Sequence, residues 1–164
     1  MTTREQAIRD EAEKLATKGE QDVNVYLAGR YSRREELCRY AEELSSLGWT
    51  VEARWLHGSH TLDERGLSVQ GEQSERAMFA CEDWEDVTSA DVCISFTESP
   101  RASNSRGGRH VEFGAAMALG KRCIVIGPRE NVFHHLPELE HFDTWEEFIL
   151  CERYEDSGDI GSQP

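Results

Sequence analysis

Glu112 lies in the run Ser105-Arg106-Gly107-Gly108-Arg109-His110-Val111-Glu112-Phe113-Gly114, where a basic, glycine-bearing loop passes into an amphipathic helix. A strand-like run, Asp91-Val92-Cys93-Ile94-Ser95-Phe96, lies just upstream, so the order is strand, loop, helix. In open α/β sheets, ligands bind at the loops that leave the carboxyl ends of strands. The spacing predicts Glu112 in the first helical turn, where backbone amides and the macrodipole keep a carboxylate ionised. An ionised carboxylate fixed at the mouth of a sheet is suited to act as nucleophile or base. Taken alone, the same residue also fits a favourable first-turn acid on a surface helix, so its surroundings must decide.

Asp83 supplies a second carboxylate, near the end of the helix that precedes the Asp91–Phe96 strand. Glycosyl chemistry calls for such a pair. One group attacks the anomeric carbon or stabilises its positive charge, and another protonates the leaving base. A third segment, Tyr26-Leu27-Ala28-Gly29-Arg30-Tyr31-Ser32-Arg33-Arg34, joins a strand to a helix through a glycine and presents three arginines and a serine. Helix-start amides with guanidinium groups suit a phosphate, a sugar hydroxyl or a carboxylate. Ser32 fits equally well as a helix cap beside solvated arginines. The segment has neither GxGxxG nor GxxxxGK[ST], so a dinucleotide or triphosphate held in the usual way is not expected. His134-His135 are adjacent and point apart, and His57 and His60 share a loop without a third ligand at fixed spacing; no metal is expected.

These groups need a scaffold. The chain has 164 residues, the length of one domain with a real core. Its 32 acidic against 18 basic residues give a charge of -14, which argues against a nucleic-acid polymer or an anionic membrane as partner. Five cysteines without a CxxC pair read as buried free thiols of a reducing compartment. No apolar run of membrane-spanning length and no signal-peptide pattern is present, so a cytoplasmic protein is expected.

Strand and helix patterns alternate along the chain. An opening helix is expected over 4–18, a strand over 23–28, a helix from Ser32 to Leu47 and a strand over 49–55. The stretch 57–71 reads as a mobile loop near the site. A helix over 72–88 is expected to bury Ala77, Met78, Cys81 and Trp84, and strands follow at 91–96 and 121–127. A capped helix over 144–151 places Trp145, Phe148 and Ile149 on one face. This order predicts one domain over 1–151, an α/β doubly wound, flavodoxin-like or Rossmann-like parallel sheet of four to five strands with helices on both faces. An acidic, disordered tail is expected over 152–164. The segments 29–34, 97–112 and 127–133 are expected to gather around one crevice. Asn131 to Pro137 is read as a loop over the site or a subunit contact, whose aromatic and His side chains could stack on a base.

Three motifs carry a resemblance over about residues 23–150: Tyr26-Leu27-Ala28-Gly29-Arg30-Tyr31, then Asp83 with Ala90-Asp91-Val92, then Gly107-Gly108-Arg109-His110-Val111-Glu112-Phe113-Gly114 followed by Ala118-Leu119-Gly120-Lys121. The chain resembles the nucleoside 2-deoxyribosyltransferase superfamily, which includes 2'-deoxynucleoside 5'-phosphate N-hydrolases. The resemblance implies a doubly wound α/β fold and no cofactor. It implies Glu112 as the nucleophile of a covalent deoxyribosyl-enzyme, Asp83 as the acid that handles the leaving base, and Tyr26 beside the nucleophile. Gly29, Arg30, Tyr31 and Ser32 on the first loop, and Ser105, Arg106, Gly108 and His110 on the loop before the nucleophile, become substrate-binding candidates. Ser105 is the nearest candidate for the family's residue that contacts the sugar or phosphate, one residue farther from Glu112 than in the family pattern. The partner implied is a small nucleoside or nucleotide, and a homo-oligomer, dimer or higher, is expected, with Val132, Phe133, Leu136 and Trp145 as spare apolar surface. Transfer at a free 2'-deoxynucleoside, hydrolysis of a 5'-monophosphate, and a non-catalytic nucleotide-binding module on the same fold remain open.

Overall fold

A computed structural model of the chain describes residues 23–58, 70–99 and 107–156. The expected opening helix, the middle of the 57–71 loop, the loop at 100–106 with Ser105 and Arg106, and residues 157–164 lie outside the described residues.

Three apolar strands form the centre of the sheet: β1 (Val23–Ala28), β3 (Val92–Phe96) and β4 (Arg122–Ile126). All five residues of β3 and the last four of β1 and of β4 are buried, as for strands covered on both faces. Shorter, half-buried edge strands flank them, β2 (Trp49–Val51) and β5 (Glu140–Phe142). The order is β2-β1-β3-β4-β5, and every pairing is parallel. This is the flavodoxin-like doubly wound order. Its topological switch point, where ligands bind, lies between the carboxyl ends of β1 and β3.

Helix α1 (Arg34–Ser46) buries Leu37, Ala41 and Leu44 on one stripe. Helix α4 (Trp145–Asp156) packs beside it: Tyr40 stacks on Trp145 at 4.2 Å and on Phe96 at 5.6 Å. Thr144 caps α4 by accepting from Glu147 N–H at 3.2 Å, and Trp145, Phe148 and Ile149 are buried. Helices α2 (Gln70–Ser89) and α3 (Gly108–Ala118) pack against each other. In the paired strands, Tyr26 lies beside Cys93 and Cys93 beside Cys123, one row facing α2 and α3. Gly127, at φ 105°, closes β4 tightly against β3, since a β carbon there would stand 2.8 Å from Thr97 Oγ1.

Several expectations are corrected. The Ala77, Met78, Cys81 and Trp84 face of α2 points outward: Met78 is 50% and Trp84 54% exposed, and Cys81 is exposed. The inward face of that helix carries Asp86 and Val87 instead, with Asp86 holding the Arg54 backbone N–H and guanidinium at 2.8 Å each. Of the cysteines only Cys93 and Cys123 are buried. The second strand stops at Val51 and a 3-10 turn follows at Arg54–Leu56. Trp145 is core and offers no spare surface, whereas Val132, Phe133 and Leu136 are exposed. The last helix runs to Asp156, into the stretch expected as tail.

Candidate active site

The site lies on the α2/α3 side of the sheet, near the carboxyl ends of β1 and β3. Helix α3 starts at Gly108 because Gly107, at φ 83°, makes the left-handed turn that ends the loop. Glu112 therefore sits in the second turn and not the first, which holds no acid. Its side chain points back toward the helix start, as helical side chains do. A β carbon on Gly108 would stand 3.8 Å from Glu112 Oε1, so this glycine keeps the first turn bare beside the carboxylate.

The expected ionised state is also corrected. Glu112 is pushed up to about 7, first by burial and then by the Asp83 carboxylate; Tyr26 and Arg109 oppose the shift. Desolvation and a like charge thus outweigh the helix dipole. Tyr26 is fully buried, and burial, followed by the charges of Glu112 and Asp83, holds its phenol well above the usual range, so it stays protonated. No described residue meets full hydrogen-bond geometry with the Tyr26 hydroxyl. Tyr26 and Glu112 are near neighbours without a formed bond, close enough for each to shift the other. Cys93, beneath them on β3, is an inert thiol whose ionisation is opposed by burial, then by Cys123 and Glu112. Tyr26, Asp83 and Glu112, from β1, α2 and α3, thus share one electrostatic site.

The other candidates divide. Arg30 stands at the switch point but is already paired, its Nη1 lying 3.0 Å from Glu98 Oε2. Tyr31 turns toward Trp55 and Gly58, and Arg34 lies over the Tyr31 ring. Ser32 is exposed and caps nothing. Arg33 binds Glu36 through two hydrogen bonds of 2.7 and 2.8 Å. His110 faces away from Glu112, and its Nε2 lies 2.8 Å from Glu130 Oε1. Gly29 ends β1 at the mouth.

Sequence reading missed Glu98 and Glu130, the acids that follow the carboxyl ends of β3 and β4. Their one signal was a place just beyond an apolar strand. A groove of about 380 Å³ opens on another stripe of α3, lined by His110, Phe113, Gly114, Met117, Asn131, Phe133 and His134. The residues at spacing i, i+3, i+4 and i+7 along it turn away from Glu112. This apolar groove holds no carboxylate and is not where the acids meet. Among the described residues, no group of three or more His, Cys, Asp or Glu could hold a metal ion. No described helix is long and apolar enough to cross a membrane.

No family model matches the chain, and no curated protein matches it by sequence. Solved structures do. A 2-deoxyribosyltransferase of Bacillus psychrosaccharolyticus superposes with a TM-score of 0.58 at 18% identity, covering 77% of this chain and 90% of that one. A conserved protein of Enterococcus faecalis gives 0.52 at 13% identity, covering 82% and 99%. A CMP N-glycosidase of Clostridium botulinum gives 0.48 at 18% identity, covering 80% and 98%. The class defined is an α/β domain with an all-parallel, Rossmann-like sheet. More particularly, the chain has the fold of the 2-deoxyribosyltransferase.

Proposed function

We propose that the protein is an enzyme of the nucleoside 2-deoxyribosyltransferase kind, cleaving or transferring at the N-glycosidic bond of a 2'-deoxynucleoside through a covalent intermediate on Glu112. One observation carries this reading: a largely buried glutamate, poised near neutrality, beside a second carboxylate and a buried tyrosine at the switch point. Two interacting acids share their protons as a pair, and Glu112, pushed up to about 7 beside the Asp83 carboxylate, is placed to exchange a proton with it near neutral pH. With the proton on Asp83, the Glu112 carboxylate attacks C1' of the sugar. The C1'–N bond breaks, its electron pair goes to the base nitrogen, and Asp83 delivers the proton there. A water or a second base then attacks C1' and releases the carboxylate, and the incoming group's proton returns to Asp83. The Tyr26 hydroxyl keeps its proton and can donate to Glu112, holding the attacking oxygen in place. A module that only binds nucleotides has no need of this acid pair.

An uncharged sugar end is favoured over a 5'-phosphate. Arg30 is matched by Glu98, Arg33 by Glu36 and Arg109 by Glu130, so these three arginines are already neutralised, whereas Arg34 reaches the Gly58 carbonyl and the Tyr31 ring. The monophosphate reading is kept alive by the Arg30 side chain, 29% exposed at the mouth. A homo-oligomer fits the exposed Val132, Phe133, Leu136, Met78 and Trp84, and a monomer mass by light scattering would contradict it. Five free thiols fit a cytosolic setting.

Chromatography of reactions with 2'-deoxynucleosides and their 5'-monophosphates, with and without an added free base, tests the whole reading. Free base released from nucleosides, or a new nucleoside formed with the added base, is expected. Unchanged substrates throughout would sink it.

A further inference from the structure

Glu130 follows β4 and is 10% exposed at the side chain. Its Oε1 accepts from Arg109 Nη2 at 2.6 Å and lies 2.8 Å from His110 Nε2. Its Oε2 accepts from the Glu98 N–H at 2.8 Å. The Glu98 side chain in turn holds Arg30. The Glu130 carboxylate therefore ties the loops leaving β3 and β4 to the first turn of the helix that carries Glu112, and the Glu98 carboxylate adds the loop leaving β1. Arg109, 3% exposed, is three residues before Glu112, so the two are neighbours on the helix surface. The Arg109 charge acts on Glu130 and Glu112 alike.

We infer that Glu130 is a positioning residue for the reaction: it takes up the charge of Arg109 and pins the head of α3 to the strand ends, fixing the place of the Glu112 carboxylate and the field around it. The inference rests on the assignment of Glu112 as nucleophile made above. Asp83 from α2, Tyr26 from β1, Cys93 from β3 and Arg109 from α3 face Glu112. Arg109, His110 and His134 face Glu130. With Glu130 neutral, the Arg109 charge is no longer offset by that carboxylate and acts more strongly on Glu112. With Arg109 neutral, Glu112 loses the cation that favours its charged form. The two changes therefore act on Glu112 in opposite directions, which a residue serving only to fill space would not do.

The test is the titration of Glu112 by NMR in protein labelled with 13C at the glutamate carboxyl groups, the resonance assigned by its loss in Glu112→Gln. Glu130→Gln is expected to move that titration to lower pH by roughly one unit, and Arg109→Met to higher pH. The acid limb of the kcat/KM profile follows each shift. Glu130→Gln should lower kcat by roughly 10- to 100-fold with little change in KM, as for a displaced attacking group. Titrations unchanged in both variants, or moved the same way, overturn the inference. If either single change prevents folding, Glu130→Asp decides: it keeps the charge but shortens the arm, so a Glu112 titration near wild type with a lowered kcat supports the inference, and a wild-type kcat overturns it. A wild type that turns over neither nucleosides nor their 5'-monophosphates sinks the reading of Glu112 as nucleophile, whereas the NMR titration still judges the role of Glu130.

Discussion

Glu112 and Glu130 are both glutamates drawn out of water at the same end of one sheet, and they are driven in opposite directions. Burial raises both. At Glu112 the next influence is the Asp83 carboxylate, and the group ends at about 7. At Glu130 the Glu98 N–H, the Arg109 hydrogen bond and the Arg109 and His110 charges overcome burial and leave it below the ordinary value. The difference teaches that burial alone does not make a carboxylate reactive; the sign of its neighbours does. One cluster is matched and holds the molecule together. In the other, burial and a like charge prevail at Glu112, and groups tuned in that way collect at functional sites.

The comparison breaks first at turnover. Glu112→Gln should lower kcat/KM by about 10^4-fold or more while the fold survives, and a variant keeping a sizeable fraction of wild-type rate would make Glu112 an ordinary buried acid. Next comes stability. Glu130→Ala leaves Arg109 buried without its carboxylate, and urea unfolding at neutral pH should show a loss of about 3–5 kcal/mol. Glu112→Gln should do the reverse. An acid whose folded value of about 7 lies above its ordinary 4.5 holds its proton more tightly in the fold, so wild-type stability falls as pH rises from about 4.5 to about 7. The Gln variant escapes that loss and should be roughly 2–3 kcal/mol more stable above pH 7, converging with wild type near pH 4.5 and below. Thermal melts across pH that run parallel for the two chains would deny that Glu112 is under strain. The smallest effect concerns Glu98, which matches Arg30 at the crevice mouth. Glu98→Gln should free that cation and raise kcat/KM for a 5'-monophosphate relative to its nucleoside by roughly ten-fold; an unmoved ratio would remove the pair from substrate selection.

How much of this could be read from the sequence depended on which way each side chain faces. Strands β1, β3 and β4 were legible because central parallel strands are continuous apolar runs, whereas Glu140-His141-Phe142 at the edge gave no such run and went unread. Periodicity misled on α2, since a helix that presents Asp83 to the site and binds Arg54 through Asp86 carries acids inward and leaves Met78 and Trp84 outside. Glu112, Asp83 and Tyr26 were found through motifs, but their mutual effect on ionisation was not, because it depends on distances between three separate elements. Glu98 and Glu130 lie 32 residues apart in sequence, and only the adjacency of β3 and β4 brings them together.

The central claim is that Glu112 forms the bond to the sugar. A 2'-deoxynucleoside analogue with an arabino fluorine at C2' slows both formation and release of a glycosyl-enzyme, because fluorine opposes positive charge at C1'. Intact-mass and peptide mass spectrometry of protein incubated with such an analogue should show one added fluoroglycosyl group, on the peptide bearing Glu112, and none on Glu112→Gln. Base release from ordinary nucleosides with no adduct, or with an adduct on another residue, would contradict the account.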